Sequence, residues 1–290
     1  MKKIKCILSI FIIFGLIFFI SGFEVMAKGQ DHLGTEIMEH TYLVIDSTNN
    51  KNGDFNFGTC FLIAAPLGDR YVQVLVTANH VLKDMLGNDV IVKLRTRGDN
   101  KKLTPFDYKL PIRSGGKELW VKHKNADVAV IHSAMPDEYL DIDKSLIPTI
   151  DILADDDHWK NFHLKVGAHI TCVGYPGAFS SQGSYTLHGY PVLRTGAIAS
   201  YPPNDPENSF FMLDRDILGG NSGGPCFYNG IIDTYKGDFS SYEVRSILGL
   251  VTHRYGNVKN GNIEQPFDYT GVVHAKYIKE TIHELLTNKK

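Results

Sequence analysis

Three short segments hold residue types that together could attack a carbonyl carbon. The first is Gly219-Gly220-Asn221-Ser222-Gly223-Gly224-Pro225. Glycines on both sides of the serine permit backbone conformations closed to other residues. Amide N–H groups can then point into one pocket beside an exposed hydroxyl. A carbonyl under attack needs such donors, because they stabilise its growing negative charge more in the transition state than in the ground state. Serine is a poor nucleophile at neutral pH, so it needs a base held in one tautomer. Leu75-Val76-Thr77-Ala78-Asn79-His80-Val81 supplies a histidine where a buried strand ends. Asn125-Ala126-Asp127-Val128-Ala129-Val130-Ile131 sets a carboxylate at the mouth of an apolar strand. Buried without a partner that carboxylate would be costly, and an imidazole N–H is a fitting one. Taken singly, the histidine reads as a surface or structural residue and the aspartate as a turn residue, while the glycine-flanked serine is the strongest local signal; their joint presence points to acyl transfer.

The elements that must hold them read as strands. Short runs rich in Val, Ile, Leu, Phe and Tyr alternate with turn residues such as Asn49-Asn50, Gly68-Asp69 and Gly98-Asp99-Asn100. Tyr42–Ile45, Gly58–Ala65, Tyr71–Ala78, Val90–Leu94, Leu119–Lys122 and Val128–His132 form one group. Val166–Gly174, Val192–Ser200, Phe210–Leu213, Pro225–Tyr228, Ser246–Thr252 and Thr270–Val273 form another. Between them, the polar stretch Asp151–Asn161 reads as a crossing linker or short helical turn. The proline-rich segment Tyr201–Asn208 reads as a loop bordering a cleft or as an inert surface loop. Ile278, Ile282, Leu285 and Leu286 share one side of a terminal helix that packs against the last strands.

The N-terminus begins Met-Lys-Lys-Ile-Lys and continues in an apolar run from Cys6 to Phe23. With Val25-Met26-Ala27 ahead of Lys28, this predicts an export signal over 1–27. An uncleaved anchor is the alternative, since a run of about 18 residues lies at the short end of what spans a bilayer. Loss of Lys2, Lys3, Lys5 and Glu24 takes the formal charge from −2 to about −4. A mildly acidic chain without a basic cluster lacks the footprint of a nucleic-acid binder. No second apolar run predicts stable membrane association once the signal is removed. Cys60, Cys172 and Cys226 remain, an odd number that permits at most one internal bridge in an oxidising compartment. No His/Cys set has metal-ligand spacing, so neither metal nor cofactor is expected.

Together the three segments resemble the trypsin-like (chymotrypsin-fold) serine proteases. In that family the histidine follows Thr-Ala, the aspartate opens an Asp-Ile/Val-Ala-Leu strand, and the serine lies in Gly-Asp/Asn-Ser-Gly-Gly-Pro. Gly58-Thr59-Cys60-Phe61-Leu62-Ile63 is similar to the strand before the histidine, especially in the bacterial high-temperature-requirement branch. Gly249-Leu250-Val251-Thr252 is similar to the strand that pairs with bound peptide, and Gly271-Val272-Val273 leads into the terminal helix. The resemblance covers most of the mature chain. It implies an all-β fold of two packed six-stranded antiparallel β-barrels with a C-terminal α-helix. The barrels would span about 40–150 and 160–274 and the helix about 275–287, within a protease domain over 28–290. It further implies a His80-Asp127-Ser222 triad, backbone donors at Gly220 and Ser222, and a protein or peptide substrate added as a strand at Thr252–Arg254.

Departures from the family pattern carry their own expectations. Asn221 stands where the animal enzymes place an aspartate that captures a newly cut N-terminus, so that activation route is not expected. Val81 after the histidine leaves Cys60 without the family's histidine-loop partner, and Cys60 reads as a buried free thiol. Cys172 and Cys226 fall on strands that pair in the family's second barrel, which leaves a bridge between them open. Asp216, six residues before Ser222, matches the acid that selects basic side chains in trypsin, with Asp214 as another register. His253 and Arg254 favour an acidic side chain instead, as a nearby histidine does in bacterial glutamyl endopeptidases. No peptide-binding domain is recognisable after the helix. The rival from another class is a noncatalytic peptide-binding or chaperone-like module on a protease fold. An esterase would place histidine last, around a Gly-x-Ser-x-Gly elbow, and the order His, Asp, Ser opposes it.

Overall fold

β-Branched and aromatic runs set the architecture. A computed structural model describes residues 32–48, 55–97, 103–135, 147–161, 164–177, 189–200, 209–216, 218–235, 239–259 and 262–287. The expected export segment and the Tyr201–Asn208 loop lie outside these. By compactness the chain divides into residues 1–35 and 36–290. Of the first unit only the opening of helix α1 (His32–Glu39) is described.

The first half contains β1 (Thr41–Asp46), β2 (Phe57–Leu67), β3 (Arg70–Thr77), helix α2 (Asn79–Asp84), β4 (Asp89–Arg97) and β5 (Leu103–Pro111). After these come β6 (Arg113–Ser114), β7 (Lys117–Glu118), β8 (Val121–Lys122) and β9 (Ala129–Ser133). Seven of its strands form one sheet in the order β5-β4-β1-β2-β3-β9-β8, and β6 pairs with β7 alone. The expected closed six-stranded barrel is therefore a seven-stranded half-barrel. Its two edges explain why it stays open. β5 carries Pro105 and Pro111, which lack the N–H a further ladder would need, and β8 is only two residues long. Within the sheet, Gly58–Ile63 of β2 is buried without alternation, as a strand covered on both faces must be.

The second half contains β10 (His169–Gly174), β11 (Val192–Ser200), β12 (Phe210–Asp214), β13 (Pro225–Tyr235), β14 (Phe239–Lys259) and β15 (Asn262–His274). These close into a six-stranded barrel, β10-β11-β12-β15-β14-β13. Ile170, Ile198, Phe211, Leu213, Leu248 and Val272 fill its interior. Closure occurs where β10 meets β13, with Cys172 opposite Cys226, and these two form a disulfide. Cys60 is buried and free. β13 and β14 continue as a ribbon well past the expected Pro225–Tyr228 and Ser246–Thr252, pairing as far as Tyr235 with Phe239.

The linker forms a 3-10 turn at Ile150–Ile152 and helix α3 (Asp156–Asn161). It stitches the halves together, Ala64 bridging to Thr149 and Leu153 to Ile247. The terminal helix α4 (Ala275–Thr287) buries Tyr277, Ile278, Thr281, Ile282 and Leu285 and packs on β9 and β14. Among the described residues no helix is long and apolar enough to cross a membrane.

A second tie between the halves is polar. Arg95 on β4 is buried. Its Nη1 donates to Tyr175 Oη at 2.6 Å and to the Gly189 carbonyl at 3.1 Å. Nη2 donates to the carbonyls of Glu39 at 2.7 Å and Met38 at 3.3 Å, at the C-terminal end of α1. The guanidinium also lies over the rings of Tyr42 and Tyr190. A planar fork of donors suits this cage, whereas an ammonium could satisfy only part of it. Arg95→Met is expected to lower the unfolding free energy by about 3–5 kcal/mol, with Arg95→Lys recovering less than half. Urea unfolding followed by tryptophan fluorescence checks this.

Candidate active site

The register of β3 on β9 brings the histidine to the aspartate. Thr77 lies opposite Ala129 in an antiparallel pair, so the chain leaving Thr77 and the chain entering Ala129 share one end of the sheet. His80 sits in the first turn of α2, and Asp127 in the turn before β9. That helix is held from both sides. Val81 and Leu82 bury its inner face, while Trp120 Nε1 donates to Asn79 Oδ1 at 3.1 Å. Arg113 donates to the carbonyls of Leu82 and Lys83 at its other end.

Asp127 grips His80 twice. Oδ2 lies 2.6 Å from the ring Nδ1, and Oδ1 accepts from the His80 backbone N–H at 2.9 Å. With Nδ1 engaged, the imidazole is oriented with Nε2 as its remaining nitrogen. Burial opposes ionisation of Asp127. The two hydrogen bonds, the charge of His80 and a smaller attraction from His253 outweigh it and hold the carboxyl below its ordinary value.

The serine loop extends the pairing of β13 with β14. The Gly223 N–H donates to the Val251 carbonyl at 2.8 Å, and the Val251 N–H to the Gly224 carbonyl at 2.9 Å. Ser222 thereby falls beside Thr252, and its Oγ lies 3.5 Å from the Thr252 carbonyl oxygen. That is the weak end of hydrogen bonding. Gly58 sits between the histidine and serine segments: a Cβ there would stand 2.7 Å from Val81 Cγ1 and 3.2 Å from the Ser222 carbonyl oxygen.

The loop's backbone alternates in a way that matters chemically. The N–H groups of Asn221, Gly223 and Gly224 all donate to carbonyls. Those of Gly220 and Ser222 donate to none among the described residues. Gly220 has φ of 97°, and a Cβ there would stand 2.4 Å from the Tyr175 carbonyl oxygen. Only glycine can hold this amide free. Two unbonded N–H groups flanking a hydroxyl can receive an oxyanion.

Residues 58–230, well over half of the chain, match the trypsin-like peptidase domain family. The chain belongs to that family. The match is to the domain as a whole and does not select the high-temperature-requirement branch. No curated protein matches the chain. In this trypsin-like domain the structure joins His80 to Asp127 and sets Ser222 beside Thr252. His253 follows on β14, exposed, its Nδ1 2.7 Å from Thr252 Oγ1. Arg254 lies opposite Thr270. Asp216 is half-buried just past β12. Asn221 is buried, its amide donating to the Leu218 carbonyl at 2.8 Å, so no carboxylate stands there to capture a chain terminus. Sequence reasoning passed over Thr59 and Gly177, which bond to the carbonyls of Gly220 and Gly219.

Since the folded carboxyl of Asp127 titrates below its unfolded value near 4, its stabilisation is complete above that value and is lost as pH falls through the folded one. The stability difference between wild type and Asp127→Asn is therefore expected to be constant near neutrality and to shrink below about pH 4. Chemical denaturation at stepped pH measures it.

Proposed function

We propose that the chain is an exported serine endopeptidase. Ser222 attacks a peptide carbonyl, His80 Nε2 takes the hydroxyl proton and returns it to the leaving amine, and Asp127 holds the imidazole in place. Water then releases the acyl group from Ser222 by the same route. One observation carries this reading: an imidazole is held twice by a carboxylate, and Gly58 lies close both to Val81, next to that imidazole, and to the carbonyl of a serine whose flanking amides are unbonded among the described residues. For the attack, the Ser222 hydroxyl turns from the Thr252 carbonyl, 3.5 Å away, to His80 Nε2. Such bonds commonly tighten only once substrate is bound.

The substrate is taken as an extended strand along Thr252–Arg254 of β14. Asp216 and the His253–Arg254 pair favour opposite charges in the substrate, so the side chain preferred at the scissile bond is left out of this reading. Export is supported by the N-terminal pattern and by the Cys172–Cys226 disulfide, since such bridges are maintained mainly in oxidising compartments.

A fluorophosphonate probe tests the centre. Protein from Lys28 onward is expected to gain its mass on Ser222, and Ser222→Ala to gain none. Wild type is expected to cut unfolded casein, with His80→Ala slower by about 10⁴-fold or more in kcat. A folded wild type that takes no label and leaves casein intact would replace this reading with a noncatalytic peptide-binding module.

A further inference from the structure

A glycine-rich loop does not by itself decide which way its peptide planes face. In a planar trans peptide the N–H and C=O point in opposite directions. The aim of each free amide is therefore set by whatever holds the carbonyls around it. The Gly219 carbonyl, in one plane with the Gly220 N–H, accepts from the Gly177 N–H at 2.9 Å. The Asn221 carbonyl, in one plane with the Ser222 N–H, accepts from the Gly224 N–H at 2.9 Å. The other two planes both end on a single residue. Thr59 Oγ1 donates to the Gly220 carbonyl at 2.7 Å, and the Thr59 N–H donates to the Ser222 carbonyl at 2.9 Å.

The rest of Thr59 is equally engaged. Its hydroxyl accepts from the Tyr175 N–H at 3.1 Å, and its carbonyl accepts from Thr77 Oγ1 at 2.7 Å. Thr77 ends the strand that leads to His80. Thr59 is fully buried, so water does not compete for any of these groups. A hydroxyl has one hydrogen to donate, and here the Gly220 carbonyl receives it.

The geometry points to Thr59 as a positioning residue for the oxyanion pocket. By holding the Gly220–Asn221 plane, its hydroxyl keeps Gly220 in the left-handed conformation that leaves the Gly220 N–H free and facing the attacked carbonyl. Thr59 touches no substrate and moves no proton. Its effect passes entirely through Gly220. Without the hydroxyl, the Gly220 carbonyl and the Tyr175 N–H lose their partner in a dry site, and the glycine torsions turn to relieve them. This role rests on the reading of Ser222 as the nucleophile.

The test follows fluorophosphonate labelling of Ser222 at several probe concentrations, so that kinact and KI separate, with rates taken per folded molecule. Thr59→Val keeps the shape and removes the hydroxyl. Its kinact is expected to fall about ten- to a hundredfold, less than the ~10²–10³ that follows outright loss of an oxyanion donor, while KI stays within about twofold. Thr59→Ser restores the hydroxyl and is expected to recover most of kinact. Should the valine variant not fold, Thr59→Cys takes its place, and its weaker donor is expected to leave kinact clearly below that of Thr59→Ser. A lowered melting temperature with unchanged kinact per folded molecule in the valine or cysteine variant overturns the positioning role alone. A folded wild type that takes no label overturns the reading of the site, and this role with it.

Discussion

A Cβ on Gly223 would stand 2.1 Å from the carbonyl oxygen of Thr59 and 2.2 Å from Thr77 Oγ1, and one on Gly224 would stand 2.1 Å from the carbonyl oxygen of Val173. Where the serine loop crosses from the closed barrel to the half-barrel, backbone touches backbone. That close approach lets an amide on β2 reach the carbonyl of Ser222 and so ties the loop to the strand next to the one that leads to His80. The register of β3 on β9 places the histidine against its carboxylate within one half. This contact ties the serine loop to that half. The linker bridges and the Arg95 cage hold the two halves together around it.

Polar groups hold the seam alongside the apolar packing of Tyr175 on Leu43, Ile45 and Phe57, and this suits its task. Apolar surfaces attract without direction, whereas an N–H must find a carbonyl at the right angle. Thr59, Thr77, Tyr175 and Arg95 convert contact into orientation. Each buried donor or acceptor carries a desolvation cost that only its partner offsets. The arrangement is therefore intolerant of loss at any one member, and in exchange it fixes peptide planes that glycines would otherwise leave loose.

How much of this was legible beforehand divides along physical lines. Strands buried in runs, such as Leu62–Ile63 and Leu75–Thr77, announce themselves by composition, and the terminal helix by its spacing of Ile278, Ile282 and Leu285. β5 escaped because Pro105, Asp107 and Lys109 read as loop; an edge strand tolerates them. α2 escaped because six residues with Val81 and Leu82 are too few to show a helical period. The outer part of the long β13–β14 ribbon, where Ile231 is exposed, lies beyond the barrel core, so its length was hidden. His80, Asp127 and Ser222 stood out because their chemistry requires those residue types at the ends of elements. Thr59 and Gly177 did not, since they act on backbone carbonyls and leave no mark in residue identity. Closure of the first barrel was expected from resemblance alone, and the proline-bearing edge and the short strand opposite it answered otherwise.

Cys60 immediately follows Thr59 on β2. It is fully buried, with its Sγ directed 3.6 Å to the Tyr42 carbonyl. Burial pushes its thiol well above the ordinary range, against a weaker pull from Arg95. Because only the exposed thiolate reacts, an alkylating reagent can reach it only in molecules whose packing around β1 and β2 has opened. The strand that holds the serine loop thus carries its own stopwatch: the rate at which native protein is alkylated reads how often that packing opens, independently of catalysis.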